Sequence, residues 1–245
     1  AILASLFAVA SAQGQVTGLQ FNGDFRLRFE RTTKQEPGAT PDILDPRFRE
    51  VVRFRAGLTS AINDKINFGV RLATGSPDDP NTADVTLGNF VDDLDVSLDQ
   101  VYLQLKHQGL TISGGKIANP FLRTDLVWDG DVNPQGVAAS YAVPGAGTFT
   151  PKFTGMYAIV DEQTTNPDSY MWGGQVQFGI RPNTDWRITL AGGFYDYTIE
   201  SLTNADAGDT RSNHLKTAGG TSGLAATTYL SDFDLLDVIA MIDYD

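Results

Sequence analysis

Basic side chains recur at alternate positions in the first third of the chain, and they carry the most evident chemistry in the sequence. Four arginines fall within the nine residues from Arg47 to Arg55. Guanidinium groups bind carboxylates and phosphates through paired hydrogen bonds, and a wall of positive charge attracts small anions. The side chains that share this pattern are Arg26, Arg28, Arg47, Arg49, Arg53, Arg55, Lys65 and Arg71.

The elements that must position these side chains are β-strands, because successive side chains of a strand point to opposite faces. In the stretch 47–72 the even positions hold apolar residues such as Phe48 and Phe54, and the odd positions hold the arginines. The pair Asn63-Asp64 is a turn signal, so the stretch is predicted to form a long hairpin. A transmembrane barrel strand needs about nine to eleven residues with one apolar and one polar face. The alternative for this hairpin is a soluble secreted β-sandwich.

Alternation of the same kind continues along the chain and predicts about ten strands. The predicted connections alternate between long and short, and the short ones are 63–64, 107–109, 144–148 and 182–184. All short connections then lie at one end of the sheet, as in outer-membrane barrels, whereas a Greek-key sandwich has no reason to sort its loops. We therefore predict an all-β fold: an antiparallel up-and-down transmembrane β-barrel, seen here as the N-terminal portion of a larger barrel. The strands are predicted at 19–31, 47–62, 65–72, 98–106, 110–117, 136–143, 152–160, 170–181, 186–197 and from 236 onward.

The start of the sequence indicates export, and its end interrupts a predicted strand. An apolar run that closes in Ala10-Ser11-Ala12 is typical of a secretory signal peptide and its cleavage site. We predict an incomplete signal peptide at 1–12, cleaved after Ala12. The last strand breaks off within its alternation, so 13–245 is predicted to be an outer-membrane β-barrel truncated at the C-terminus.

The composition of the chain argues against several classes of function. The net charge of −12 disfavours nucleic acid as a partner, because nucleic-acid binding needs positive surface. The chain has no cysteine, which excludes disulfides, a thiol nucleophile and cysteine metal ligands. No later run of about eighteen apolar residues is present, so transmembrane helices are excluded.

Three stretches resemble a known family. They are F-N-G-D-F-R-L-R-F-E at 21–30, L-D-Q-V-Y-L-Q-L at 98–105 and, most specifically, N-P-F-L-R-T-D-L-V-W-D-G-D-V-N-P-Q-G-V-A at 119–138. With these residues the chain resembles the bacterial outer-membrane family called putative porins, from about Val16 onward. The resemblance implies a β-barrel of the Gram-negative outer membrane. The family's barrels look longer and close with further strands, and the resemblance supplies no site residues.

The eight basic residues are predicted to line the pore, where patches of charge set ion selectivity. Many of the carboxylates in the sequence fall in the long connections, beyond the ~10 Å range of screened charges, so we expect a mild preference for anions. The alternative is that the basic side chains pair with Asp24, Glu30 or acidic loop residues and stiffen the wall. Both interpretations can hold together.

The stretch 119–133 is more apolar than a solvated loop should be. One interpretation is a loop that folds into the lumen and narrows it, and the other is a lip packed on the barrel rim. The residues predicted to form such a constriction loop are Phe121, Arg123, Asp125, Trp128 and Asp129.

Catalytic and metal sites find no support in the motifs. The two histidines, His107 and His214, are predicted at opposite ends of the sheet, and no hydrolase, zinc or phosphate-binding motif is present. The stretch 129–133 begins like an EF-hand loop, but Pro134 replaces the required glycine. The acidic cluster Asp92, Asp93, Asp95 and Asp99 is predicted to be a solvated face. We predict no enzymatic reaction, no cofactor and no metal.

The function predicted from these observations is a water-filled outer-membrane channel for passive diffusion of small hydrophilic solutes or ions. The alternative is a non-conducting outer-membrane barrel with a structural or adhesive role. The expected partners are outer-membrane lipid, lipopolysaccharide, and small solutes or ions, without nucleic acid, and the chain is expected to assemble as a homotrimer.

Overall fold

A computed structural model describes residues 17–32, 47–77, 79, 81–145, 147–165, 167–200, 215–217, 226–229 and 233–244. The predicted signal peptide at 1–12 lies outside these residues. No helix in the described part is long and apolar enough to cross a membrane. The described strands are β1 (Thr17–Thr32), β2 (Arg47–Ala61), β3 (Ile66–Thr74), β4 (Val85–Leu87), β5 (Val96–His107), β6 (Leu110–Lys116), β7 (Gln135–Ala142), β8 (Phe149–Asp161), β9 (Ser169–Ile180), β10 (Trp186–Thr198), β11 (Leu215–Thr217), β12 (Ala226–Tyr229) and β13 (Phe233–Tyr244).

The main sheet follows the order of the chain. Its path is β1-β2-β3-β5-β6-β7-β8-β9-β10-β13, with every neighbouring pair antiparallel. The predicted all-β up-and-down fold is therefore confirmed, as are ten of its strands. Among the described strands, β1 and β13 end the path and do not pair with each other.

Three short strands were not predicted: β4, and the pair β11 and β12, which form a separate antiparallel sheet within the predicted connection after β10. The segment 74–96 reads as a long acidic connection, but three of its residues, β4, pair with β2 beyond the point where β3 has ended. Glu50 and Val52 of β2 face Leu87 and Val85 across this ladder. A strand of three residues is too short for period-two alternation to be visible in the sequence.

The two faces of the sheet differ as the alternation predicts. We call the face that carries Phe25, Phe54 and Phe194 the outer face, and the opposite one the inner face. Phe25 exposes 68% of its surface, whereas its neighbours Asp24 and Arg26 on the inner face are only partly exposed. Large apolar side chains in such exposed positions indicate a surface that faces lipid rather than water.

The sheet curves strongly around its inner face. Trp128 contacts Tyr195 of β10, with ring centroids 5.5 Å apart, while Asp131 pairs with Arg55 of β2 at 2.9 Å. The two loop residues are three positions apart, so their Cα atoms lie within about 11 Å of each other. In a flat sheet, seven strand spacings of about 4.8 Å would put β2 about 34 Å from β10. A curved wall, as in a partial barrel, brings both strands within reach of one loop.

Candidate functional site

The arginines of β1 and β2 form a ladder on the inner face because the register of the two strands interleaves them. Arg26 lies opposite Arg53, Asp24 opposite Arg55, and Glu30 opposite Arg49. Three of the four facing positions thus pair a basic residue with another basic residue or with a carboxylate, and Arg28 lies opposite Val51. We call the set Arg26, Arg28, Arg49, Arg53, Arg55 and Arg71 the arginine ladder.

Carboxylates of the same strands neutralise much of this ladder. Asp24 accepts hydrogen bonds from Arg53 Nε at 2.9 Å and from Arg55 Nε at 2.7 Å. Glu30 pairs with Arg28 at 2.5 Å and also with Arg49. The ladder is thus a network of alternating charge, which is the second of the two interpretations that the sequence left open.

Two further carboxylates reach the ladder from outside β1 and β2. Asp84, just before β4, pairs with Arg26 at 2.5 Å and with Arg28 at 3.0 Å. Asp99, in β5 at an irregularity of the β3–β5 ladder, pairs with Arg71. Asp99 was predicted to be part of a solvated acidic cluster, but at this irregularity it faces inward and pairs with Arg71.

The pKa of Asp84 reflects its surroundings. Burial by itself would raise the pKa of this carboxyl, but hydrogen bonding to Arg26 and the charges of Arg26, Arg28 and Arg53 outweigh burial and hold the pKa below its ordinary value. A lowered pKa in the folded state means that the interaction is fully present above the unfolded pKa of about 3.9 and is lost as the pH falls through the folded value.

Acidification is therefore expected to release residues 75–84 from the ladder, but only below about pH 4. A spin label on a single cysteine at Asn81 should keep the same mobility from pH 7 to pH 5 and become more mobile at lower pH. Asp84→Asn should give the mobile spectrum already at pH 7. A label at Asn89, beyond β4, controls for general loosening. A mobility at Asn81 that does not change with either pH or Asp84→Asn would contradict the prediction.

A second element, the segment 117–134 between β6 and β7, covers the inner face, and we call it the inner loop. Phe121 and Trp128 are 5% and 8% exposed, and both make edge-to-face contacts with Tyr195, at 5.0 and 5.5 Å between ring centroids. Aromatic pairs of this geometry contribute about 0.5–1.5 kcal/mol beyond their buried area. The buried residues of this cluster are Ile117, Phe121, Trp128, Ala138, Met156, Ala158, Met171 and Tyr195.

Hydrogen bonds orient the inner loop at its start. Gln175 of β9 accepts from the backbone N–H of Leu122 at 2.8 Å and donates to the carbonyl of Leu122 at 2.7 Å. One side-chain amide therefore satisfies both backbone groups of a loop residue, as a neighbouring strand would. Gln175 is itself buried, so water does not compete for these bonds.

Polar contacts at the far end of the inner loop tie it to the opposite part of the sheet. Asp131 pairs with Arg55 at 2.9 Å and accepts from the backbone N–H of Ala83 at 3.3 Å. Asn133 accepts from Gln100 at 2.7 Å and donates to Asp99 at 2.6 Å. The inner loop thus spans from an apolar cluster on β7–β10 to the arginine ladder on β1–β3 and its partner Asp99 on β5.

The other residues predicted for this loop lie away from the packing. Asp125 is exposed, and its ion pair with Arg123 is long, at 3.8 Å. Arg123 donates to the carbonyl of Gly130 at 3.3 Å, and Asp129 accepts from the backbone N–H of Asp131 at 2.8 Å. These three side chains shape the loop itself rather than its contact with the sheet.

Two of the eight predicted basic residues are not brought into the described ladder. Asn63 accepts from the backbone N–H groups of Lys65 and Ile66, both at 2.9 Å, and this side-chain turn keeps Lys65 exposed in the connection before β3. Arg47 opens β2, but its side chain lies outside the described part of the structure. Within the described residues, no group of three His, Cys, Asp or Glu is suited to hold a metal ion.

Several residues of the site are visible in the sequence only in hindsight. Tyr195 and Met156 occupy inner-face positions of strands in which most other inner residues are polar or small, and Tyr197 of β10 also packs against their cluster. A bulky apolar residue on a predicted polar face is the signal that something packs there. No comparable signal marks Asp84 or Asp131, since acidic residues in long connections are usually solvated.

Comparison with known proteins adds one match. A family model described as Putative porin matches residues 19–222. The matched range begins within β1, includes the arginine ladder and the inner loop, and extends beyond β10. No curated protein matches the chain.

Proposed function

The chain belongs to the putative porin family, and from this membership we propose that it forms a water-filled outer-membrane channel for passive diffusion of small hydrophilic solutes or ions. Membership of this family implies a non-enzymatic role in the outer membrane. In this proposal, solutes pass along the inner face of the sheet.

The observation that carries the proposal is the seating of the inner loop. A selective channel needs a wall with an apolar outer face and a polar inner face, and an element that limits the width of the lumen. Phe121 and Trp128 hold the loop on the inner face at one side, and Asp131 holds it to Arg55 at the other. A loop anchored in this way, by side-chain contacts at its two ends, narrows the space on the inner side of the curved sheet.

Aromatic side chains on the outer face support a membrane position. At the end with the short connections, Trp186 packs against Tyr244 at 4.9 Å, and Phe149 stacks on Phe178 at 5.2 Å. Toward the other end, Tyr157 packs against Trp172 at 4.7 Å. The eight steps from Phe149 to Tyr157 span about 26 Å along the strand, or roughly 20 Å along the membrane normal at a tilt of about 40°. This length is comparable with the ~25 Å apolar band of outer-membrane barrels, whose borders carry aromatic girdles.

In this proposal the arginine ladder has a structural task. Its guanidinium groups hold Asp84 before β4 and Asp131 of the inner loop, so the ladder keeps two long connections against the wall. The ladder remains a candidate pore lining, but its charge is shared with the carboxylates. Cleavage of a signal peptide, contact with lipopolysaccharide and assembly as a homotrimer stay predictions.

Single-channel recording tests the proposal. The full-length protein, folded in detergent and added to a planar bilayer in KCl, should insert in discrete steps of ionic conductance. Gel mobility that changes on heating serves as the control for a folded barrel. Folded protein that inserts into vesicles but never conducts would overturn the proposal and favour the structural or adhesive barrel.

A further inference from the structure

The charges of the arginine ladder nearly cancel. Its six guanidinium groups are each paired with at least one carboxylate, and the carboxylates are Asp24, Glu30, Asp84, Asp99 and Asp131. The ladder therefore retains a net of about one positive charge. Opposite charges held within hydrogen-bond distance act on a passing ion as a dipole, and their effect falls off faster with distance than that of a single charge.

Lys152 of β8 is a cation of a different kind. It shares the inner face with Thr154 and Met156, and its direct cross-strand neighbours are Ala142 of β7 and Gln177 of β9, which carry no charge. Lys152 is partly buried, and no carboxylate of the described part of the chain lies within ion-pair distance of it.

Neutral hydrogen-bonding groups surround Lys152. Ser140 and Thr154 share a hydrogen bond at 3.1 Å, two residues along each strand from the Ala142–Lys152 pair, and Gln177 lies beside Lys152. Hydroxyl and amide groups can replace part of the water shell of a small anion that meets the ammonium group. A cation flanked by such groups can bind an anion transiently, because no carboxylate among the described residues pairs with its charge.

Other cations of these strands are less suited to this task. Lys116 donates to the backbone carbonyl of Asn133 at 3.1 Å and is thus engaged at the base of the inner loop. Lys106 and Arg187 are exposed, and Arg187 lies opposite Asp243. Exposed charges are screened within about 8–10 Å at physiological salt, whereas a partly buried charge such as that of Lys152 is screened less.

We propose that Lys152, rather than the arginine ladder, is the residue that gives this channel a preference for small anions such as chloride. The proposal rests on the proposed channel function and names the side chain that discriminates between ions. Ser140, Thr154 and Gln177 are the neutral groups that accompany the ammonium group at this position.

Reversal potentials in a KCl gradient test the proposal on the full-length protein. The wild type is expected to favour chloride, and Lys152→Gln is expected to lose that preference while still conducting. Lys152→Arg should retain it. Arg181→Gln is the matched control, because it removes one positive charge from an exposed position in the short connection after β9. A potential for Lys152→Gln equal to that of the wild type and of Arg181→Gln would overturn the proposal.

Single-cysteine chemistry gives a second readout, since the chain has no other cysteine. Lys152→Cys treated with a cationic thiol reagent should regain anion preference, and treatment with an anionic reagent should favour cations. This arm also decides the matter if Lys152→Gln folds poorly, because one folded variant is compared before and after modification. Absence of any wild-type conductance would defeat the channel function itself, whereas a conducting wild type without anion preference would defeat only the assignment to Lys152.

Discussion

Gly173→Val is expected to lift the inner loop from the sheet and to raise the single-channel conductance. A Cβ atom at Gly173 would lie 2.8 Å from Cζ of Phe121 and 3.0 Å from Cδ1 of Tyr195, closer than carbon atoms pack. Tyr195 is fully buried within its strand, so the ring that must yield is Phe121 of the loop. Loss of a buried phenylalanine contact costs about 3–5 kcal/mol in protein cores. Since 1.4 kcal/mol corresponds to a factor of ten, the docked population should fall at least about a hundredfold.

Gly174→Val is the matched control for this experiment. Gly174 is the next residue in β9, faces the outer side, and has nothing within 4 Å of its would-be Cβ atom. The variant adds the same side chain to the same strand without touching the inner loop. Heat-dependent gel mobility should be preserved in both variants, because the strand pairing is unchanged. Equal conductance of Gly173→Val and the wild type would contradict the role of the inner loop as a constriction.

Asp131→Ala is expected to loosen the other end of the inner loop, which Asn133 still holds, and to shift ion selectivity toward anions. The carboxylate of Asp131 contacts both Arg55 and the backbone N–H of Ala83, so its removal breaks two contacts of the inner loop at once. Arg55 keeps Asp24 as a partner, but the ladder then carries one negative charge fewer. A guanidinium that loses a carboxylate interacts more strongly with a passing anion, as proposed for Lys152. The reversal potential in a KCl gradient should move toward that of chloride, with increased current noise from the loosened loop.

Asp125→Ala provides the comparison for Asp131. It removes the same charge from the same loop, at a position whose side chain is 88% exposed and whose ion pair with Arg123 is long. Surface pairs of this kind contribute about 0–1 kcal/mol, so loop docking should not change. A shift of equal size in both variants would mean that the net charge of the loop, and not the contact with Arg55, determines selectivity.

The faces of the strands could be predicted because they depend on local sequence alone. The side chains of a strand alternate with a period of two, so the placement of Phe25 and Phe54 outside and of Arg26 and Arg53 inside needs no knowledge of the partner strands. Strand order followed as well, since connections as short as 108–109 join only adjacent antiparallel strands. Lys65 was predicted on a strand but lies in the turn before β3. The side chain of Asn63 extends that turn by accepting hydrogen bonds from the backbone N–H groups of Lys65 and Ile66.

The state of the arginine ladder and of the inner loop was decided only by the tertiary structure. Arg26 meets Asp84 across 58 positions of the sequence, and Arg55 meets Asp131 across 76. No periodicity connects residues so far apart, because their meeting depends on the paths of two long connections and on the curvature of the sheet. The sequence by itself therefore determined which side chains face inward, through the period of the strand. Only the folded chain decided which of those charges are neutralised and that Lys152 has no ion-pair partner among the described residues, because an ion pair requires two groups to arrive within hydrogen-bond distance.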